Sequence, residues 1–408
     1  MKGKVEAQVL VLVTLALVAF GLVMVYSATS AQAALGESDP SYYLKRQGVY
    51  AVLGIALMLV ASRVDFRALR VLAPALLVLS LALCTLVLFA PAVNGAKRWL
   101  TIGPATFQPS ELAKLALAIW AANHLARRKP PQNLAELAKP IGLVAGLFCF
   151  LILLEPDLGT AISIVVMLFA VLLVSGVPFP TLALGGGIMG VLGMAAIWVE
   201  PYRRERFFSF LDPWNDPQGT GFQIVQALIA FGSGGILGEG LGQGVQKIFY
   251  LPEARTDMIF AIVGEEVGLV GTGAVILAYA TFAYAGLRVA IACKDPFGKR
   301  LAAGLVILVC GQAAINLAAV LALAPLTGIP LPFVSYGGSN LVVQLASVGI
   351  LLNIAANGAR ARASVPDRSR GDGRPRAARA RNRGGAARAG RADDLRRVAG
   401  ARRGAARS

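Results

Sequence analysis

The chain has 408 residues, of which 56% are hydrophobic and only 15% are charged, and its mean hydropathy is +0.66. A typical soluble domain carries about 25% charged residues, and a soluble core cannot enclose so much apolar surface. The composition therefore excludes an ordinary soluble protein and predicts a multi-spanning, all-α integral membrane protein.

Apolar runs long enough to cross a bilayer recur along the chain and predict about ten transmembrane helices. Their limits are 9–27, 47–62, 71–91, 110–126, 140–154, 158–176, 179–199, 258–291, 301–323 and 333–356. The first run resembles a signal peptide, but no A-x-A-like cleavage site closes it, so we interpret it as a retained helix. The eighth run is long for one crossing, so either the helix tilts or its first turns stand above the membrane.

Basic residues in the short loops predict the orientation. Alternate loops carry Lys2 and Lys4, then Arg63, Arg67 and Arg70, then Arg127, Arg128 and Lys129, then Lys294, Lys299 and Arg300. The positive-inside rule makes this side cytoplasmic. Both termini are then predicted to be cytoplasmic, and residues 200–257 form a large extracytoplasmic loop.

Residues 359–408 differ from the membrane domain, predicted over 1–358. From Arg360 onward the chain has 16 Arg and four Asp, so most of the formal net charge of +17 lies here. With few large apolar residues, this tail is predicted to be disordered and to bind anionic lipids. The alternative, a nucleic-acid-binding arm, has no supporting motif, and no nucleic-acid partner is expected.

Polar and turn-rich segments far apart in sequence all fall on the predicted outer side. They are 94–114, 155–160, 200–257 and 328–340. Such convergence indicates a site built between helix ends. Residues of the first two segments also have a simpler interpretation: Trp99 as an interfacial anchor, Ser110 as a helix N-cap, and Glu155 or Asp157 as partners in an ion pair with Lys114 or an arginine.

Asp257 closes a polar loop and opens a long apolar helix. It is either a helix cap or a shielded carboxylate with a raised pKa that acts as a general base. Around it lie basic residues suited to phosphate, and these candidates are Arg98, Lys114, Arg203, Arg204, Arg206, Lys247 and Arg255.

Several common chemistries are missing from the sequence. The only histidine, His124, lies at the cytoplasmic end of the fourth run, and the four cysteines have no C-x-x-C spacing. No P-loop is present, and the Gly-rich stretch 232–244 follows no predicted strand, so neither ATP-driven work nor a Rossmann site is indicated.

Five motifs together resemble the SEDS family (shape, elongation, division, sporulation), the FtsW/RodA group, over about residues 10–357. They are Asn94–Trp99, Gln108–Lys114, Glu155–Thr160, Leu251–Glu253 with Asp257–Ala261, and Ser335–Ser339. Within the group, Gly21–Ala28 and Gly264–Glu266 look more like the division (FtsW) branch. Gly328–Pro332 is closer to the elongation (RodA) branch, and on balance the chain resembles FtsW more.

The resemblance implies a ten-helix peptidoglycan glycosyltransferase of the bacterial cytoplasmic membrane. Such enzymes polymerise lipid II at the outer face with a class B penicillin-binding protein and other divisome or elongasome membrane proteins. The family's essential aspartate falls on Asp257, which is predicted to be catalytic. The predicted substrate-binding residues are Arg98, Trp99, Glu111, Lys114, Glu155, Asp157, Arg203, Lys247, Arg255, Ser335 and Ser339. A divalent cation, Mg²⁺ or Mn²⁺, is expected, with no ligands assigned.

Two positions depart from the family pattern. Arg255 stands where a histidine is usual, which leaves Asp257 as the base, and Asn340 replaces a serine. Two alternatives to a polymerase stay open at this point: a lipid II flippase, or a non-catalytic scaffold for the penicillin-binding protein. The one-sided polar cluster and the lack of an inverted repeat favour the polymerase over the flippase.

Overall fold

The structure is a computed structural model that describes residues 2–34, 41–92, 96–103, 105–248 and 251–358. The predicted Arg-rich tail lies outside the described residues, as do Asn94, Gly95 and Tyr250. The predictions for the tail therefore stay predictions.

Long helices dominate the described part of the chain, and their bounds follow in order. They are α1 Lys2–Ala34, α2 Tyr42–Arg63, α3 Leu69–Val87, α4 Pro109–Arg127, α5 Leu134–Leu137, α6 Leu143–Leu154, α7 Leu158–Val174, α8 Phe179–Val199, α9 Pro201–Leu211, α10 Phe222–Gly234, α11 Ile259–Ala292, α12 Pro296–Val320 and α13 Gly338–Asn357. A 3₁₀ turn, Phe66–Ala68, leads into α3, and a π-turn, Ala138–Gly142, joins α5 to α6. Strands β1 Leu100–Ile102 and β2 Ala105–Phe107 form an antiparallel hairpin before α4.

The ten predicted spans each fall on a helix: α1 to α4, α6 to α8 and α11 to α13. Among the described residues, eight helical segments are long and apolar enough to cross a membrane, and α7 is a shorter apolar helix. The predicted class, a multi-spanning helical membrane protein, is confirmed.

The most enclosed helices carry the polar residues of the site. Of an apolar 18-residue stretch in each helix, 83% is buried in α13 and 67% in α11, but only 6% in α8. Helix α13 packs against α2, and α12 packs against α4, α7 and α11. Helix α8 therefore presents nearly all of its apolar surface outward, as a lipid-facing helix does.

The predicted outer loop, residues 200–257, contains two helices. Helix α10 packs on α11, with Ile224, Ala227 and Ala230 buried. These positions recur at helical spacing, which places them on one face of α10. The segment is therefore partly built into the bundle, and this organisation was not predicted.

Helix α11 is interrupted at Gly268, which has a φ of +68°. A Cβ at this position would lie 2.4 Å from the Gly238 nitrogen, so only glycine fits. The segment 269–292 after the break is long enough for one crossing. The long eighth run is thus explained by a break and not by tilt alone.

Candidate functional site

The predicted motifs meet at one end of the bundle, where α4, α7, α11 and α13 begin; we call it the Asp257 end. Gln108, just before α4, connects three of them. Its Nε2 donates to Asp157 Oδ2 at 3.0 Å, and its backbone N–H donates to Ser339 Oγ at 3.0 Å. Asp157 also accepts from the N–H and hydroxyl of Thr160, so it caps α7.

The Asp257 loop is joined to the loop before α13. The Tyr336 N–H donates to the Arg255 carbonyl at 2.9 Å, and the Arg255 guanidinium lies 4.4 Å from the centre of the Tyr43 ring. Ser335 Oγ accepts from the Leu331 N–H at 2.8 Å. The contacts of Ser335 and Ser339 are thus with backbone, and they hold the loops together.

Asp257 has the properties expected of a shielded base. Only 9% of the residue is exposed. Burial raises the pKa of its carboxyl to about 6, because desolvation disfavours the charged form; the Arg206 cation opposes this shift and Glu253 adds to it. A carboxylate with this pKa is ionised near neutral pH yet basic enough to take a proton.

Arg206 on α9 faces Asp257. Its Nη1 and Asp257 Oδ2 each lie 3.9 Å from the point that a Cβ on Gly328 would occupy. Gly328 has a φ of +69°, so a residue without a side chain keeps this space open. The Arg206 guanidinium also lies 4.7 Å from the centre of the Tyr202 ring. The sequence included Arg206 among the phosphate candidates, but nothing there set it above its neighbours.

A cavity of about 390 Å³ lies beside this pair, between α7, α9 and α12. Arg203 and Arg206 line it together with apolar side chains that include Ile162, Ile197, Phe207 and Ile315. Arg203 donates to the carbonyls of Leu153 at 2.8 Å and Ala196 at 3.2 Å. Those bonds fix Arg203 to α6 and α8, whereas Arg206 is the cation of this cavity whose charge acts on Asp257.

A second cavity, of about 270 Å³, is lined by residues that include Lys247, Glu253 and Arg255. Lys247 is 4% exposed. Its ammonium lies 2.7 Å from Glu266 Oε1 and 3.2 Å from Ser27 Oγ. Its substrate contact stays a prediction, while its observed contacts hold the segment 200–257 against α1 and α11.

Glu111 and Lys114 form an ion pair inside the bundle, with Lys114 Nζ 2.8 Å from Glu111 Oε1. Lys114 is fully buried and Glu111 is 2% exposed. The ammonium also donates to Gln312 Oε1 at 2.8 Å, and Asn340 donates to Glu111 Oε2 at 2.9 Å. Lys114 therefore pairs with Glu111, whereas one sequence interpretation paired it with Glu155 or Asp157.

Glu155 is fully buried at the α6–α7 turn, and its two oxygens have no hydrogen-bond partner among the described N–H and O–H donors. Burial raises the pKa of this carboxyl to about 8, and the Asp157 charge adds to the shift; the nearby Cys84 thiol and Arg98 oppose it. Glu155 is thus mainly protonated at neutral pH. Arg98 and Trp99 are half-buried just before β1.

No group of three or more His, Cys, Asp or Glu side chains that would hold a metal occurs in the described part of the chain. The expected divalent cation stays a prediction, and no step below passes through it. Two polar residues near the site were not predicted, Gln312 and Asn316 on α12, of which Asn316 contacts the Asp257 carbonyl. Their signal in the sequence is a pair of amides in an otherwise apolar span, which are costly in a membrane unless they are bonded.

The profile of the FTSW_RODA_SPOVE family, described as cell cycle proteins, matches residues 7–360. The chain belongs to this family. It is 42% identical over 353 residues to the probable peptidoglycan glycosyltransferase FtsW of Geobacter sulfurreducens, covering 85% of this chain and 94% of that protein. It is 38% identical over 356 residues to the stage V sporulation protein E of Bacillus subtilis, covering 85% and 96%.

Solved structures of the family share the fold. A chain of a peptidoglycan synthase complex that coordinates polymerization and crosslinking matches with a TM-score of 0.71 and 32% identity, over 86% of this chain and 98% of that one. The rod shape determining protein RodA of Thermus thermophilus matches with a TM-score of 0.63 and 29% identity, over 86% and 97%. The FtsW relative is more similar in sequence than this RodA, which agrees with the predicted resemblance to FtsW.

Proposed function

We propose that this FTSW_RODA_SPOVE protein is a peptidoglycan glycosyltransferase that polymerises lipid II into glycan strands, in septal or elongation synthesis. The observation that carries the proposal is a shielded carboxylate, Asp257, facing the Arg206 cation beside an apolar cavity at one end of a membrane bundle. A lipid-linked sugar diphosphate needs these three features together: a base, a cation and an apolar surface.

The reaction forms one glycosidic C–O bond and breaks one C–O bond to the diphosphate, with one proton transferred to Asp257. Asp257 takes the proton of the acceptor sugar's 4-hydroxyl, and that oxygen bonds to the anomeric carbon of the lipid-linked growing chain. The bond from this carbon to the diphosphate oxygen breaks, and the lipid diphosphate leaves as an anion. A positioned base contributes about 10²–10⁴ in rate.

Arg206 is suited to the leaving diphosphate because a guanidinium fork matches phosphate oxygens. The apolar walls of the neighbouring cavity suit the first part of the prenyl tail. Thr327 also lines this cavity, and its hydroxyl has no partner among the described residues. A hydroxyl in this position is available to a ligand.

The proposed location is the outer face of the bacterial cytoplasmic membrane, with both termini in the cytoplasm, as the loop charges predict. The proposed partner is a class B penicillin-binding protein, because a chain of a peptidoglycan synthase complex shares this fold. Other membrane proteins of division or elongation are further proposed partners.

Purified protein with its class B penicillin-binding protein, fluorescent lipid II and Mg²⁺ or Mn²⁺ tests the proposal. We expect wild type to produce a glycan ladder on a gel, and Asp257→Asn to produce none. Glu239→Gln is the control, since Glu239 is an exposed carboxylate in the same segment, 200–257, that lines neither cavity, and it should polymerise.

Full activity of Asp257→Asn would refute Asp257 as the base. A folded, partner-bound wild type that makes no ladder would refute the polymerase. In that case a lipid II translocation assay in vesicles would separate a flippase from a scaffold.

A further inference from the structure

Helix α12 carries two amide side chains in its membrane-spanning part, Gln312 and Asn316, one turn apart. They are 1% and 2% exposed. Buried polar groups in a membrane are retained when they bond to something that matters for the fold or for the site. The partners of these two amides all lie at the Asp257 end or in the polar core beneath it.

Asn316 holds two loops with one nitrogen. Its Nδ2 donates to the Asp257 carbonyl at 2.7 Å and to the Ile329 carbonyl at 2.8 Å. The first loop carries the proposed base. The second carries Gly328, where an added Cβ would lie 3.9 Å from both Asp257 Oδ2 and Arg206 Nη1. One side chain therefore bridges the two segments that form the site, beside the Tyr336–Arg255 backbone bond that also joins them.

Gln312 connects this contact to the bundle. Its Nε2 donates to the Pro330 carbonyl at 3.0 Å, and its Oε1 accepts from Lys114 at 2.8 Å. Lys114 is paired in turn with Glu111. The second loop is thus held at two neighbouring carbonyls, 329 and 330, from a support that is itself buried and ion-paired.

We propose that Asn316 is a positioning residue for Asp257, which acts through the main chain of the loop and not on the substrate. The inference rests on the proposed function for its kinetic consequence. The structural part of the proposal is that Asn316 keeps the Asp257 carboxyl shielded and oriented. This part does not depend on which reaction is catalysed.

The proposal has a matched control in the same protein. Asn353 is also a buried amide, 1% exposed. It too joins two segments: its Nδ2 donates to the Ser62 carbonyl at 2.8 Å and its Oδ1 accepts from the Phe66 N–H at 2.9 Å. These contacts lie at the last turn of α13, whereas the Asp257 end is where α13 begins. Asn353→Ala therefore removes comparable bonding without touching the Asp257 loop.

The test compares Asn316→Ala, Asn316→Leu and Asn353→Ala in the full chain bound to its penicillin-binding protein partner. Asn316→Leu keeps the branched side-chain shape, adds no charge and loses only the donor, because Asn316 Oδ1 has no partner among the described residues. A displacement of about 1 Å at a reacting group costs on the order of 100-fold in rate. We expect kcat to fall about 10- to 100-fold in both Asn316 variants, with KM within about 3-fold of wild type.

A second readout is independent of polymerisation. Modification of the Asp257 carboxyl by a water-soluble carbodiimide and an amine, quantified by mass spectrometry, should increase several-fold in the Asn316 variants. It should stay at the wild-type level in Asn353→Ala. The acid limb of the pH–rate profile should also move to lower pH in the Asn316 variants, because a rehydrated carboxyl ionises more easily.

If Asn316→Ala kept the wild-type extent of Asp257 labelling and the wild-type kcat, the proposal would be overturned. The proposal would also be overturned if the Asn316 and Asn353 variants lost kcat equally and in proportion to their loss of folded protein. That result is expected of a residue whose role is only structural. If wild type failed to polymerise, the proposed function would fail, yet the labelling comparison would still decide whether Asn316 positions Asp257.

Discussion

Replacing Lys114 by Met removes one partner of the buried ion pair while keeping the length of the side chain. Glu111 would then retain the Asn340 donor at 2.9 Å but lose the ammonium at 2.8 Å. With Glu111 only 2% exposed, water cannot replace the lost partner. Breaking a buried pair in this way costs about 3–5 kcal/mol, so Lys114→Met should be strongly destabilised.

The double variant Glu111→Gln/Lys114→Met should recover most of this stability. Neither residue then carries a charge, and the oxygen of the new amide can still accept from Asn340. Replacing both members of a buried pair by uncharged residues is often close to neutral. Thermal unfolding of wild type, Glu111→Gln, Lys114→Met and the double variant in detergent measures the coupling as a double-mutant cycle, and glycan-ladder assays on the same samples measure activity.

Wild-type thermal stability of Lys114→Met would refute this account, because it would mean that the ammonium contributes nothing to the buried network. The activity of the double variant separates the two interpretations of the motif. A stable and active double variant would assign Glu111 and Lys114 to support of the fold. A stable but inactive one would support the substrate-binding role predicted from the sequence.

Polymerisation should rise with pH through about pH 6, because Asp257 must lose its proton to act as a base and burial raises its pKa to about 6; initial rates at saturating lipid II from pH 5 to 8 measure this. Arg206→Leu should lower kcat by about 10²–10³, as loss of a charge-stabilising donor does. It should also move the acid limb of the pH–rate profile to higher pH. Arg204→Leu, at an exposed position on the same helix, should do neither. Glu155→Gln should raise thermal stability at pH 8.5 and have little effect at pH 5. Because the pKa of Glu155 is raised to about 8 in the folded protein, wild type loses stability as the pH rises from the pKa of this carboxyl in the unfolded chain to about 8. Equal unfolding temperatures of wild type and Glu155→Gln at pH 8.5 would contradict this.

The spans were predictable because each crossing requires a long apolar run. The starts of α7 at Leu158 and of α8 at Phe179, for example, follow from the turns before them. The convergence of the polar motifs also followed, since alternate loops of a polytopic protein must meet at the same face. The inward direction of Lys114 was not predictable. Its partner Glu111 lies one turn away in the sequence, but nothing local shows that both side chains point into the bundle.

The other features that the sequence did not predict depend on contacts between segments that are far apart in the chain. The Lys247–Glu266 pair includes Ser27, which precedes Glu266 by 239 residues, and no local pattern announces such a contact. The clamp by Asn316 likewise depends on the meeting of two loops. Helix α10 was missed because its charged and Gly-rich surroundings made the whole segment look irregular, although its own apolar positions recur at helical spacing.

The break at Gly268 bears on how the protein is made. The N–H groups of Leu269 and Val270 donate to the carbonyls of Gly235 and Ile236, and the carbonyls of Glu265 and Glu266 accept from Glu239 and Gly240. A helix normally completes its own hydrogen bonding before it leaves the translocation channel, and unpaired backbone groups in lipid are costly. Helix α11 cannot do so around its break without the preceding stretch. We therefore expect α10, the segment 235–240 and α11 to fold together, as one unit of biosynthesis.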